Sequence, residues 1–391
     1  MSGVNDKYHF LKEELAQRKE KNQFRRLHAV VPDLNSSSVQ KNGKKLINFC
    51  SNDYLGLASH PKVTEKAKEF AGKYGAGSTA SRLVSGNFAI HENLEEKLAE
   101  AFGYEAAIIF NTGFQANSTI LATLANRNSL MLADKKVHNS LINGAILSRA
   151  KLKRFHHNDY AHLENLLKTA QSKSYNRIWI ITETLFSMDG NLSDLDRLIQ
   201  LSTKYNALLF SDDAHAVGVF GEKGLGFNFG KNNIAISMGT FGKAFGAFGA
   251  FVGCSAEMKD YLINFCPGFI YSTALPPAII GALDAALEIL PNMDKERVIL
   301  KQNIEKVLDS LRKSGFETGT SNSQIIPVIL GSEEEAISLA SWLEDCGILA
   351  AAIRPPTVES GTSRIRLTLT AKHTSEDINI LLRAFMNWKN R

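Results

Sequence analysis

The chain has 391 residues, 44% of them hydrophobic and 22% charged, a balance that suits a folded protein with a large core. Its 45 basic and 40 acidic residues leave a net charge of +5, too small an excess at this size to argue for a nucleic-acid partner. Four scattered cysteines without a CxxC pair argue against a metal site or a disulfide framework, and a charged N-terminus without an apolar core argues against a signal peptide. With no apolar run near the roughly 18 residues of a membrane span, a cytoplasmic protein is expected.

In chain order, Tyr8 to Phe24 sets Leu11, Leu15 and Phe24 among many charges, the pattern of an amphipathic helical arm lying on a larger body. Lys41-Asn42-Gly43-Lys44 is a hairpin signal, and Leu46 to Phe49 is a strand leading into Asn52-Asp53-Tyr54-Leu55-Gly56. Val63 to Tyr74 and His91 to Phe102 read as helices around a polar loop, Gly75 to Asn87. The buried strand Ala106 to Phe110 runs through Asn111-Thr112-Gly113-Phe114 towards a helix at Ser118 to Ala125. A strand, a glycine turn and a helix N-terminus form an anion cradle, because unpaired N–H groups and the helix dipole converge there.

Strand and helix then alternate. Leu130 to Ala133 precedes Asp134 and His138, and Ile178 to Ile181 is closed by Thr182-Glu183, with Ser187 just beyond. After a helix at Leu192 to Tyr205, the strand Ala207 to Phe210 runs through Ser211 into Asp212-Asp213-Ala214-His215. The strand ending near Ser237 leads into Met238-Gly239-Thr240-Phe241-Gly242-Lys243. Repeated β–α alternation implies a mostly parallel sheet covered on both faces. From about Pro276 the pattern changes to helices at Ala278 to Leu290, Glu296 to Ser314 and Glu334 to Cys346, with strands at Ile325 to Leu330, Ile348 to Ile353 and Arg364 to Leu369. The expected division is an arm and hairpin over 1–56, a large α/β domain over 57–290 and a small α+β domain over 291–391.

Lys243 stands among Gly239, Gly242, Gly246 and Gly249, which are expected to leave open space beside it. On this window alone a solvated lysine is an equal reading. Upstream, an acid at a strand end suits pyridoxal phosphate (PLP), which needs a carboxylate at its ring nitrogen and a lysine at its aldehyde. Asp212 and Asp213 would point opposite ways if the strand continued, and which of them faces a ligand the pattern alone leaves open.

The ordered set of Asn52-Asp53-Tyr54-Leu55-Gly56, Phe186-Ser187-Met188-Asp189-Gly190, Asp212-Asp213-Ala214-His215 and Thr240-Phe241-Gly242-Lys243 resembles the fold-type I PLP enzymes of the aspartate aminotransferase superfamily. Within it, the motifs are similar to the α-oxoamine synthases, which join an amino acid to an acyl thioester with loss of carbon dioxide. The stretch Ala352-Ile353-Arg354-Pro355-Pro356-Thr357-Val358, with Gly361 to Leu369, is similar to the 8-amino-7-oxononanoate synthases. That branch uses L-alanine and a pimeloyl thioester carried on coenzyme A or acyl carrier protein. Glycine acetyltransferases share the core, and the loop Gly77-Ser78-Thr79-Ala80-Ser81-Arg82 carries fewer glycines than that family pattern.

The resemblance implies an α/β fold with a mostly parallel seven-stranded sheet flanked by helices, a smaller α+β C-terminal domain, an N-terminal helical arm and a homodimer. It implies that Lys243 binds PLP and then acts as base, that Asp212 pairs with the ring nitrogen, that His215 and Ser187 reach the phenolic oxygen, and that His138 stacks on the ring. Glu183 would support Asn52 or the ring from behind. The phosphate would sit on the N–H groups of Gly113 and Phe114 and on the Thr240 hydroxyl, with Ser272 and Thr273 contributed by a partner subunit. Asn52 and Arg366 would hold the alanine carboxylate, and Arg25 and Thr357 would meet the acyl thioester.

Overall fold

A computed structural model describes residues 7–391; the first six residues, part of the segment read as lacking a signal peptide, lie outside the described residues. Helix α1 (His9–Glu20) forms, but none of its residues is buried. Among the described residues of the single chain its apolar positions Leu11 and Leu15 stay exposed, so the expected packing of this arm on a larger body is not made within it. Phe24 lies beyond the helix, beneath Lys19 and Arg26. Strands β1 (Val31–Pro32), β2 (Ser38–Lys41) and β3 (Lys44–Asn48) pair antiparallel in succession. Asn42 and Gly43 both take positive φ, at 50° and 78°, as a two-residue turn matched to strand twist requires.

The chain divides into two compact units. The larger comprises Asn52–Ser187 and Asn191–Leu300. Its sheet contains β4 (Ala106–Phe110), β5 (Ser129–Asp134), β6 (Lys151–Phe155), β7 (Arg177–Glu183), β8 (Leu208–Asp212), β9 (Ile236–Thr240) and β10 (Ala250–Cys254). Their order is β4-β10-β9-β8-β7-β5-β6, with β10 antiparallel to both neighbours and every other pairing parallel. This is the expected mostly parallel seven-stranded sheet. Its alternating residues feed two cores: Met131, Trp179 and Phe210 pack on one face, while Leu132, Ile180 and Leu209 pack on the other.

Two of the seven strands were not anticipated. Lys151–Phe155 is an edge strand reading KLKRF, half charged because its outer side is not paired. Ala250–Cys254 follows the glycine-rich turn directly and is fully buried. Around the sheet lie α2 (Pro61–Tyr74), α3 (Ala89–Phe102), α4 (Gly113–Leu124) and α5 (Asn139–Leu147), among others. Helix α4 begins at Gly113, a full turn before the apolar periodicity that marked Ser118, because Thr112 caps it.

The smaller unit comprises the chain up to Ser51, Met188–Gly190 and Lys301–Arg391. Strands β11 (Ile325–Gly331), β12 (Ile348–Leu349), β13 (Ala351–Ile353) and β14 (Ser363–Thr368) belong to two sheets. One has the order β11-β14-β13, and in the other β12 joins β3 in parallel. The expected strand Ile348 to Ile353 thus divides at Ala350. The pairing of β3 with β12 groups the first strands with the C-terminal segment, where the sequence had set 1–56 apart from 291–391. Among the described residues all four cysteines are free thiols, and no helix is long and apolar enough to cross a membrane.

Candidate active site

Parallel strands bring their C-terminal residues to one edge of the sheet, and Asp134, Glu183, Asp212 and Thr240 end β5, β7, β8 and β9 there. Asp212 is buried. Its Oδ1 accepts the Ala214 N–H at 3.0 Å and its Oδ2 accepts the Asn117 side-chain amide at 2.8 Å. Asp213 makes a separate set of contacts: it accepts from the Thr184 hydroxyl and, at 3.2 Å, from the Asn228 N–H. Burial raises the Asp213 carboxyl to about 7, against the lowering effect of those hydrogen bonds. Gly226, at φ 84°, makes room for it; a Cβ there would stand 2.0 Å from Asp213 Oδ2.

His138 caps α5. Its Nδ1 accepts the Ser140 N–H at 3.2 Å and lies 2.7 Å from the Ser140 hydroxyl. Burial holds this imidazole below its ordinary pKa; Asp212 opposes that shift, and the charge of Lys243 adds to it. Glu183 receives the His138 N–H, and the Ser187 N–H at 3.3 Å. Burial first, then the Asp212 charge, pushes its carboxyl well above the usual range, while Lys243 pulls the other way. Asp212, His138, Glu183 and Lys243 are thus electrostatic neighbours at one edge of the sheet. Glu183 braces the backbone at His138 and Ser187, whereas support of Asn52 or the ring had been expected of it.

The glycines around Lys243 do less for open space than the sequence implied. A Cβ on Gly239 would lie 2.4 Å from the Phe251 ring, and one on Gly246 would lie 2.1 Å from the Ala58 backbone nitrogen. Gly242 alone of these is open, its nearest neighbour 4.0 Å away. Lys243 itself is half-buried, and its carbonyl accepts the Gly246 N–H at 2.9 Å to close the turn.

At the start of α4, the Thr112 hydroxyl accepts the Gln115 N–H at 3.0 Å. Gly113 and Phe114 then head the helix with N–H groups that have no intrahelical acceptor. A Cβ on Gly113 would stand 2.7 Å from Thr240 Cγ2, so the bare glycine lets the helix start approach the end of β9. The Thr240 hydroxyl is buried there without a hydrogen-bond partner. An orphaned hydroxyl beside a helix N-terminus fits a phosphate. With a carboxylate, an imidazole and an amine close by, the residues present fit PLP. Gln115 also donates to the Ser272 hydroxyl at 2.6 Å, and Asn111 donates to the Thr273 carbonyl at 2.9 Å, so this segment packs on α4 of its own chain.

His215 Nδ1 and the Tyr54 hydroxyl are 2.5 Å apart, and that hydroxyl lies 3.3 Å from Asn52 Oδ1. Tyr54 is fully buried and links two expected site residues. Tyr54, Asn117 and Ser140 had carried no assigned role. Tyr54 stood inside the Asn52–Gly56 motif, its only signal; the Asn117 contacts reach Ser140 and Asp212, 23 and 95 positions on, which no spacing reveals, while Ser140 lies two residues from His138. The remaining expected residues belong to the smaller unit. There Arg25 donates to the Thr357 hydroxyl at 2.9 Å, which pairs the two residues assigned to the acyl thioester. Arg366 is buried on β14 and donates to the Thr368 hydroxyl at 2.8 Å.

The sequence profile of the aminotransferase class I and II family matches residues 44–385. A protein of Desulfosudis oleivorans, provisionally named 8-amino-7-oxononanoate synthase, is 48% identical over 98% of this chain and 99% of its own. One of Paramagnetospirillum magneticum with the same provisional name is 46% identical over 91% of this chain and 92% of its own. Among solved structures, serine palmitoyltransferase of S. paucimobilis with PLP and myriocin bound superposes with a TM-score of 0.90 at 26% identity, covering 99% of this chain and 98% of that one. The 8-amino-7-oxononanoate synthase of Francisella tularensis gives a TM-score of 0.77 at 30% identity, covering 88% and 99%.

Proposed function

The chain belongs to the aminotransferase class I and II family and is a PLP-dependent acyltransferase of the α-oxoamine synthase type; on that footing we propose that it condenses L-alanine with a pimeloyl thioester, with loss of carbon dioxide, to give 8-amino-7-oxononanoate for biotin synthesis. The observation that carries this reading is the convergence of Asp212, His138 and Lys243 at the sheet edge beside the Gly113–Thr240 cradle. Names among the relatives favour the alanine and pimeloyl substrates over the glycine and acetyl pair.

PLP, when bound, supplies an electron sink for negative charge at the amino acid's α-carbon. The chain's own residues do the rest. Lys243 Nζ would hold the cofactor aldehyde and, when free, would take the α-proton of alanine. The Asp212 carboxylate keeps a proton on the ring nitrogen, so that the ring can accept charge. His138 would lie against the ring with its uncharged imidazole, and His215 and Ser187 would bind the phenolic oxygen. Gly113, Phe114 and Thr240 would hold the phosphate. Asn52 and Arg366 bind the alanine carboxylate, Arg366 with a bidentate fork, and Arg25 and Thr357 bind the thioester.

The working unit is a homodimer in which Ser272 and Thr273 serve the partner's phosphate. Mixing Lys243→Ala with a Ser272→Ala/Thr273→Ala variant then restores up to about a quarter of wild-type activity under random exchange; no rescue despite proven exchange removes this point. The substrate test offers L-alanine or glycine with pimeloyl-coenzyme A, pimeloyl-acyl carrier protein or acetyl-coenzyme A. Carbon dioxide and amino-ketone from alanine with a pimeloyl thioester are expected. Turnover of glycine with acetyl-coenzyme A alone would overturn the assignment.

A further inference from the structure

Helix α4 presents two features on one side. Gly113 at its start and Asn117 one turn later are four residues apart and share a face. Asn117 is buried, and its Nδ2 donates both to Asp212 Oδ2 at 2.8 Å and to the Ser140 hydroxyl at 3.0 Å. A carboxylate only accepts, so the amide nitrogen must face Asp212, and this fixes the orientation of the amide. Its Oδ1 is buried without a hydrogen-bond partner. The Ser140 hydroxyl, accepting from Asn117, turns its own proton to His138 Nδ1, which also accepts the Ser140 N–H. A ring nitrogen that accepts from a backbone N–H carries no proton, so neutral His138 has its proton on Nε2.

The packing that permits this is specific. A Cβ on Gly144 would stand 2.6 Å from the Asn117 carbonyl oxygen, so glycine brings α5 close to α4. The Ser118 hydroxyl donates to the Ser140 carbonyl at 3.1 Å and joins the two helices one residue away.

We propose that Asn117 is a positioning residue that sets the Asp212 carboxylate in register with the phosphate cradle on its own helix, so that one rigid element aligns both ends of PLP. This rests on the reading of the site as a PLP site. The Asn117 amide donates to Asp212 and Ser140, so its effect on PLP would pass through the ring nitrogen that Asp212 would serve.

The test is equilibrium binding of two ligands to the full-length apoprotein: PLP, and its carbocyclic analogue with C–H in place of the ring nitrogen. Asn117→Leu should weaken PLP binding roughly tenfold to a hundredfold, the effect of losing a hydrogen bond to a charged group, and leave the analogue's affinity unchanged. Asn117→Asp, nearly isosteric, sets a second carboxylate beside Asp212 and should give the same selective loss; it carries the test if the leucine variant does not fold. Equal losses for both ligands would make Asn117 a packing residue only and overturn the proposal. A wild-type protein that takes up no PLP would instead contradict the proposed function.

Discussion

Asp212 and Asp213 are consecutive acids at the end of one strand, and their surroundings differ in kind. Around Asp213 the hydrogen bonds close on themselves. Thr184 and Asn228 hold its carboxyl, Asn228 also binds Ser211 and Ser237, and Ser237 meets Tyr104 at 2.6 Å. Around Asp212 the network stops short: Asn117 Oδ1 and Thr240 Oγ1 are buried polar atoms without partners. Closed polar networks specify a fold, whereas the unmatched Thr240 hydroxyl, beside a helix N-terminus, is one that a bound phosphate would complete. On the proposed function, the chain devotes one acid to structure and its neighbour to chemistry.

The largest effect expected from breaking this contrast is on turnover. Asp212→Asn should lower kcat a hundredfold or more, on the order of the 3 kcal/mol lost with one transition-state donor, while Asp213→Asn should cost less than about tenfold. Steady-state kinetics on both variants decides this, and equal losses would erase the distinction.

Next is the pH dependence of stability. The folded-state pKa of Asp213 is raised, so between the unfolded value of 3.8 and about 7 the native state binds the extra proton, and stability falls as pH rises through that window. Asparagine mimics the protonated acid, able to donate to Thr184 and accept from Asn228. Asp213→Asn should therefore remove a loss of up to about 4 kcal/mol between those limits. Thermal melts of both proteins from pH 4 to 8 measure it, and parallel curves would refute it.

Smaller effects test the cradle. Gly113→Ala drives a methyl into Thr240 in the unliganded protein already, and should cost about 1 kcal/mol or more of its stability and weaken PLP binding roughly tenfold, about 1.4 kcal/mol. Thr240→Val removes a hydroxyl that the apoprotein leaves unpaired. It should leave apoprotein stability unchanged or raise it by up to about 1 kcal/mol, yet lower the gain in Tm that PLP confers. A destabilised apoprotein with a full PLP response would reverse that reading.

The apolar strands of the sheet and the polar residues at their ends could be read in sequence, because buried parallel strands are continuous Val/Ile/Leu runs that stop where chemistry begins. Asp212, His215 and Lys243 follow such runs directly. Strand β6 escaped because its charges suit an edge, and the start of α4 escaped because a capped polar turn lacks apolar periodicity. Asn117 reaches Ser140 and Asp212, and Tyr54 reaches His215, between distant parts of the chain, which no local spacing encodes. The glycines near Lys243 were located correctly but mostly serve the approach of Phe251 and of the Leu57–Ala58 backbone.

On the proposed function, Lys243 is the residue that holds PLP. Sodium borohydride reduction of the PLP-loaded protein, followed by peptide mapping, tests it most directly. The account predicts one labelled peptide, modified at Lys243, and no label in Lys243→Ala. A label on any other lysine of the wild-type chain would contradict it.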